Sequence, residues 1–423
     1  MKKRHVVIVG GGASGLLAAI SAAHEGADVT IVEQKDKLGK KILSTGNGRC
    51  NLTNEYMNKD CFRGDDISVV SKVLKQFGYQ QTISFFEELG VILKERQGYI
   101  YPITEQAGTI LDVLCMEIKQ LGVRVMLNQS VVSISKSDSF FQVKTSKERL
   151  TCNAVILATG GKAASVLGSD GSGYTLAKSF GHRISPVVPA LVQLVGKGHF
   201  YKQVSGVRTQ AKVSLYIDEK LACEDTGELQ LTNYGISGIP VFQVSRYAAK
   251  ALYEKRSVMA ELDLLPSLTD DEFEDFLSKR IQMQAYKTAE EFLTGIFNKK
   301  LIGLLLKASR IDTDTSICDV TEEQLKKLLH VSKHFRIEIQ ETNGFEQAQV
   351  CAGGVCTTEV HPQTMESMYI DGLYFTGELL DIDGMCGGYN LQWAWSTGFI
   401  AGKHAAKGNK YDSNQSTEVT TEP

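Results

Sequence analysis

The chain predicts an α/β fold: a Rossmann-like dinucleotide-binding domain interrupted by an inserted domain of antiparallel strands and helices. Three observations carry this. The apolar run Val6–Val9 stops on Gly10, Gly12 and Gly15, a helical pattern follows, and a second apolar strand ends at the acid Glu33. A third apolar strand, Val155–Ala158, meets Thr159-Gly160-Gly161, and a fourth, Leu373–Thr376, meets Gly377-Glu378. Between them, near Pro186 and Pro189, the pattern changes to the alternation of antiparallel strands and then to helices.

The G-x-G-x-x-G spacing has a physical reading. Gly10 permits a tight turn, Gly12 lets backbone approach a pyrophosphate, and Gly15 lets helix and strand pack closely. The helix N-terminus offers unpaired N–H groups to phosphate. Glu33 stands where an acid would accept from ribose hydroxyls. Lys2-Lys3-Arg4 before an apolar run also suggests a secretory leader or a membrane span. The consecutive glycines 10–12 and the strand that continues to Glu33 argue against both.

The chain has 423 residues, 43% hydrophobic and 22% charged, as a soluble protein of two or three domains would be. Net charge is −3 with no long basic block, which argues against nucleic acid as the main partner. Nine cysteines without a C-x-x-C pair point to reduced thiols, and thus to the cytoplasm, rather than to a disulfide framework or zinc site. Eight scattered histidines give no metal-ligand spacing.

After Glu33 and Gln34, a loop rich in Gly, Asn and Ser runs from Leu38 to Asn54, with Lys40, Lys41 and Arg49. A long loop continuing from a phosphate site is expected to wrap the same ligand. Residues 66–97 read as two amphipathic helices, Gly98–Pro102 as a short strand or turn, 106–121 as a helix, and Val123–Ala158 as strands with a small antiparallel excursion. Residues 269–330 are helical in character, and a last helix begins near Asn390. Expected domains are therefore 1–186 with 345–408 (cofactor), 187–264 with 331–344 (β-rich) and 265–330 (helical), with 409–423 a polar, disordered tail.

One long ligand stretched over the three glycine-bearing strand ends fits FAD better than NAD. Its adenosine and pyrophosphate would use Gly10–Gly15 and Glu33, its ribityl hydroxyls Glu378, and its ring Gly388–Leu391 at a helix start. That helix end stabilises negative charge on the flavin pyrimidine.

Gly39–Asn54, Tyr234-Gly-Ile-Ser-Gly238, Ala352–Val355, Gly377–Gly384 and Gly388–Trp395 resemble the BaiN-like (YhiN-like) bacterial flavoproteins over roughly residues 4–406. The resemblance implies an α/β fold of the two-dinucleotide-binding-domain flavoprotein type, its Rossmann-like FAD-binding domain interrupted by a small β-barrel-like domain with a helical insert, and non-covalent FAD. It implies cofactor contacts at Gly10, Gly12, Ala13, Ser14, Gly15, Glu33, Gln34, Lys41, Arg49, Cys50, Asn51, Val131, Thr159, Gly160, Gly161, Gly377, Glu378, Gly388, Tyr389, Asn390 and Leu391. Asn47 stands where many relatives have glycine, so the loop there is expected to differ.

The function expected is hydride transfer between FAD and a small organic molecule, with NAD(P)H a possible transient donor and reduction of an activated C=C bond favoured. An oxidase of amines or aminoketones, a non-catalytic flavin-binding regulator and an RNA-modifying flavoprotein are the alternatives. Tyr389, Tyr234 and Tyr101 are the candidate proton donors. No metal and no membrane partner are expected, and the oligomeric state is left open.

Overall fold

In the computed structural model, which describes residues 3–408, five parallel strands form the centre of the first unit. They are β1 (His5–Val9), β2 (Asp28–Val32), β3 (Arg124–Met126), β4 (Ala154–Leu157) and β5 (Leu373–Phe375), in the spatial order β5-β4-β1-β2-β3. Every residue of β4 and β5, and Val6–Val9 of β1, is buried, as strands covered on both faces must be. The helix α1 (Ala13–His24) links β1 to β2. Because all five strands run the same way, Gly10, Glu33, Thr159 and Gly377 emerge at one edge of the sheet.

The last described helix, α2 (Tyr389–Lys407), lies against α1. A Cβ on Gly398 would sit 2.2 Å from the Ser14 carbonyl oxygen, and one on Gly402 2.2 Å from that of Ala18. Only glycine allows two helix backbones to approach so closely. Ser21 Oγ locks the pair by donating to the Phe399 carbonyl at 2.8 Å.

Residues 66–97 are not two helices throughout. Helices Ser68–Gln76 and Tyr79–Glu88 form as expected, but Leu93–Arg96 is a strand paired with Tyr99–Pro102. Gln97 and Gly98 both have positive φ, 55° and 83°, the signature of a type I′ hairpin turn. An antiparallel meander, Val131–Ser137, Phe140–Thr145 and Arg149–Cys152, separates β3 from β4.

The first unit runs up to Val187 and from Ala352 onward, and the second is Val188–Cys351. Residues 345–351, grouped by the sequence with the cofactor domain, thus belong to the second unit. That unit holds a closed six-stranded barrel, in the order 194–196, 235–238, 220–231, 208–217, 258–263, 335–342. Its helices 270–283, 289–293 and 322–333 each start with a capping box, at Thr269/Glu272, Thr288/Glu291 and Thr321/Gln324. Phe273, Phe292, Leu301 and Leu305 sit in the barrel unit's apolar core. The tail expected to be disordered, 409–423, lies outside the described residues.

Candidate active site

At the β1 end, three glycines do two different jobs. Gly10 has φ +104°, and a Cβ there would lie 2.4 Å from the Ala158 carbonyl oxygen. A Cβ on Gly15 would lie 2.0 Å from the Gly10 carbonyl oxygen. Gly12 differs: a Cβ would meet nothing within 4 Å. The first two glycines close the turn, and the third borders an open cradle. Gly12 caps α1 without a side-chain hydrogen bond, and the first helical bond is Leu16 N–H to the Gly12 carbonyl. The amides of Ala13 and Ser14 therefore have no partner within the helix, which suits a pyrophosphate.

Glu33 is buried and its carboxylate is fixed from both sides. Oε2 accepts from the Gly11 amide and Oε1 from the Lys35 amide, each at 2.8 Å. Each oxygen keeps a lone pair for a ribose hydroxyl. Gln34 Nε2 donates to the Gly168 carbonyl at 2.6 Å. The Gln129 amide donates to the Glu33 carbonyl at 3.0 Å, which brings Val131, at a β-bulge that opens the meander, to the same side.

At the next strand ends, Gly160 has φ +69° and a Cβ on Gly161 would meet Glu378 Oε1 at 3.0 Å. Lys41 Nζ pairs with Glu378 Oε2 at 2.8 Å and donates to the Ala163 carbonyl at 3.3 Å. The loop thus reaches over the strand ends. Thr376 Oγ1 lies 3.1 Å from Ser14 Oγ, and Thr397 Oγ1 accepts from the Gly377 amide at 2.9 Å.

The loop itself is a tight 3-10 stretch, Ile42–Gly48, broken at Thr45. Asn47 adopts the left-handed conformation (φ 55°, ψ 42°), which asparagine tolerates better than other non-glycine residues. The departure at Asn47 therefore keeps a glycine-like backbone. Cys50 is fully buried, and burial pushes its thiol up to about 12, so it is inert at neutral pH. Arg49 is exposed, with Nε 3.7 Å from Glu105 Oε2.

At the far end, Gly388 has φ +91° and packs on Thr53, whose carbonyl oxygen would lie 2.8 Å from a Cβ. α2 begins at Tyr389 with no side-chain cap and no acid in its first turn. Its amides and positive dipole end are free for an electron-rich ring edge. Asn390 closes the preceding turn, with Oδ1 accepting from the Gly384 amide and Nδ2 donating to the Gly384 carbonyl, both at 2.8 Å. With its amide oriented to satisfy both groups, Asn51 donates to the Thr53 carbonyl (2.9 Å) and accepts from the Gly388 amide (3.3 Å). Leu391 is half-buried against the core.

Gln392 was not legible from the sequence. It is fully buried, and its Oε1 accepts from Thr53 Oγ1 (2.6 Å) and Thr82 Oγ1 (2.9 Å). Its Nε2 donates to Ser396 Oγ at 2.9 Å and to the Phe77 carbonyl at 3.3 Å. A polar residue on the buried stripe of a helix was the available signal.

The three candidate tyrosines have different surroundings. Tyr389 is buried edge-on to Phe62 (ring centroids 6.0 Å), and burial, with Cys61 beside it, raises its hydroxyl well above the ordinary range. Tyr101 is half-buried, its ring 3.9 Å from where a Gly46 Cβ would stand, and burial raises its hydroxyl too. Tyr234 belongs to the second unit, where its hydroxyl accepts from Asn343 Nδ2 at 3.0 Å.

A family model described as the HI0933-like protein Rossmann domain matches residues 4–404. The chain belongs to this family. It is 50% identical over 402 residues to a 3-dehydro-bile acid delta(4,6)-reductase of Clostridium scindens, covering 95% of this chain and 98% of that one. It is 30% identical over 401 residues to a ribosomal RNA dihydrouridine synthase of Haemophilus influenzae, covering 93% and 96%. A solved 3-ketosteroid delta1-dehydrogenase from Sterolibacterium denitrificans shares the fold, with a TM-score of 0.50 at 14% identity over 96% of this chain and 100% of that one. The second relative is named for an RNA substrate, so the modest negative charge of this chain is no ground for excluding RNA. Among the described residues, no helix is long and apolar enough to cross a membrane, and no cluster of His, Cys, Asp or Glu could hold a metal ion.

Proposed function

We propose that the chain is an FAD-dependent oxidoreductase that reduces an activated carbon–carbon double bond of a small organic molecule, with NAD(P)H as electron source, in the cytoplasm. The observation that carries this is the 50% identity, over nearly the whole chain, to a named reductase. The open cradle at Gly12 and the uncapped start of α2 fit a dinucleotide with an electron-accepting ring at its far end. Bound FAD would supply two-electron hydride chemistry.

The residues then have distinct tasks. Gly12, Ala13 and Ser14 receive the pyrophosphate, and Glu33 accepts from the adenosine ribose. Lys41 and Glu378 hold the ribityl chain. The α2 amides, steadied by Asn390 and Gln392, receive the ring edge that gains charge. Tyr101 keeps its proton at Oη and delivers it to the substrate carbon that does not take the hydride. Its half-buried position leaves it open to a substrate, whereas Tyr389 is enclosed by Phe62.

The test is anaerobic. The purified protein is expected to be yellow, to bleach with NADH or NADPH, and to recolour with a conjugated 3-keto-4,6-diene steroid faster than with O₂. A colourless protein that takes up no FAD would sink the proposal. Recolouring fastest with O₂ after bleaching by an amine or aminoketone would make it an oxidase. The 30% identity to a dihydrouridine synthase favours a second reading, hydrogen addition to uridine in RNA. Dihydrouridine formed in ribosomal RNA while the steroid stays unreduced would select it.

A further inference from the structure

The hairpin 93–102 stands outside the parallel sheet, and its strands pair Lys94 with Tyr101 and Arg96 with Tyr99. Side chains alternate along a strand, so these four share one face. Ile100 and Pro102 occupy the other face and are buried.

The shared face is continuous with the ring end of the site. A Cβ on Gly387 would lie 2.8 Å from Tyr99 Cε1 and 3.2 Å from Tyr389 Cε2. Tyr101 borders Gly46 in the loop that also carries Arg49. Arg49 and Lys94 both reach the same acid, Glu105. Arg96 is exposed and makes no ion pair among the described residues. Two cations thus pair with one carboxylate, and the charge of a third, Arg96, also acts on it, beside two tyrosines that lead to the start of α2. The positive charges of Arg49 and Arg96 oppose the effect of burial on the Tyr101 hydroxyl, so their field reaches it.

We infer that this hairpin face is a subsite for a carboxylate on the substrate, with Arg96 as its principal cation and Tyr99 as the apolar wall along which the substrate body lies. The inference rests on the proposed function and adds the charge of the substrate to it. A guanidinium matches one carboxylate in two parallel hydrogen bonds. A nucleic acid needs several phosphates neutralised along a track, and one hairpin with three cations is a poor track.

The probe is a saturated 3-keto bile acid, 3-oxo-5β-cholanoate, compared with its uncharged methyl ester by titration calorimetry on the FAD-loaded protein. The acid is expected to bind about tenfold more tightly than the ester. R96Q is expected to weaken the acid to the level of the ester and leave the ester unchanged, and R96K to recover part of the difference. Equal affinity for acid and ester in the unaltered protein, or equal weakening of both by R96Q, overturns the inference. So does tight, salt-sensitive binding of a ribosomal RNA fragment that R96Q abolishes while the acid does not bind. A protein that takes up no FAD yet prefers the acid in the same titration keeps the subsite and sinks the flavin reading. A yellow, active protein without that preference sinks the subsite alone.

Discussion

From Gly10 to Glu33 a single stretch of chain supplies the turn, the cradle, the helix start and the acid of the adenosine end. The ring end draws instead on Asn51–Asn54, Tyr99–Tyr101 and Gly384–Gln392, segments that lie far apart in the chain. At the first end, neighbours in sequence are neighbours in space. At the second, proximity is imposed by α2 lying on α1 through Gly398 and Gly402. The two ends therefore differ in what can damage them: a local change for one, a packing change far from the site for the other.

The largest effect is expected where one substitution breaks both ends. In Gly402→Val the new side chain would push against the α1 backbone at Ala18, which cannot move without moving the glycine turn. Overpacking against side chains costs about 1–3 kcal/mol, and a rigid backbone puts this case at the upper end or above. Chemical denaturation is expected to show that loss, together with loss of FAD uptake. A variant as stable as the parent would mean that the α1–α2 contact does not hold the two ends together.

Next comes a pair that isolates the adenosine end. Gly12→Val is expected to fold normally, its stability in the FAD-free state within about 0.5 kcal/mol of the parent, because the added atoms enter open space. The same variant is expected to weaken FAD at least a hundredfold, since the side chain fills the cradle. Gly15→Ala should do the reverse first, destabilising the fold by driving a Cβ into the Gly10 carbonyl. Flavin fluorescence titration and thermal melts of the FAD-free proteins separate the two. Equal loss of stability in both would show that Gly12 is a packing glycine like its neighbours.

What the sequence revealed follows the same division. The strand-glycine-helix pattern and Glu33 were legible because their chemistry is local. The parallel sheet and the flavin-type architecture were legible from strand ends that repeat glycine, whereas alternation showed only that the inserted unit holds antiparallel strands, and the barrel came from the family resemblance. The strand Leu93–Arg96 was not, because Leu, Lys, Glu and Arg all favour helices and only pairing across Gln97-Gly98 makes them a strand. Tyr101 looked equivalent to Tyr234 in the sequence, yet Tyr234 lies in the barrel unit, bonded to Asn343. Gln392 was hidden because its partners, Thr53 and Thr82, are brought to it by tertiary structure alone.

The ring end has its own test in Tyr101. Removal of a proton donor typically costs 10²–10⁴-fold, so Tyr101→Phe is expected to lower kcat for double-bond reduction by about a hundredfold or more, with flavin binding retained. Tyr389→Phe should cost far less. The pH profile gives the sign. Burial raises the Tyr101 hydroxyl above its ordinary value of about 10, so the proton is held throughout the neutral range and lost only in stronger alkali. Activity is expected to stay level to about pH 10, then fall, and the fall should vanish in Tyr101→Phe. A decline already complete by pH 9 would point to a different donor.

The smallest effects come from the two acids, one at each end. Glu33 is held by two backbone amides, both donors. In Glu33→Gln one of them must face the new NH₂ group, so a buried donor loses its acceptor at a cost of about 1–3 kcal/mol. That loss should appear in the FAD-free protein as well as in FAD affinity. Glu378 faces Lys41, and the pair keeps some contact with water. Glu378→Gln retains an oxygen that can still accept from Lys41, so the FAD-free fold should lose no more than about 1 kcal/mol, with the larger change in flavin affinity. Denaturation and flavin titration on both variants test this. If Glu378→Gln destabilises the FAD-free protein as much as Glu33→Gln does, the ring-side acid is a structural strut, and the contrast between a locally encoded end and an assembled one must be redrawn around Lys41.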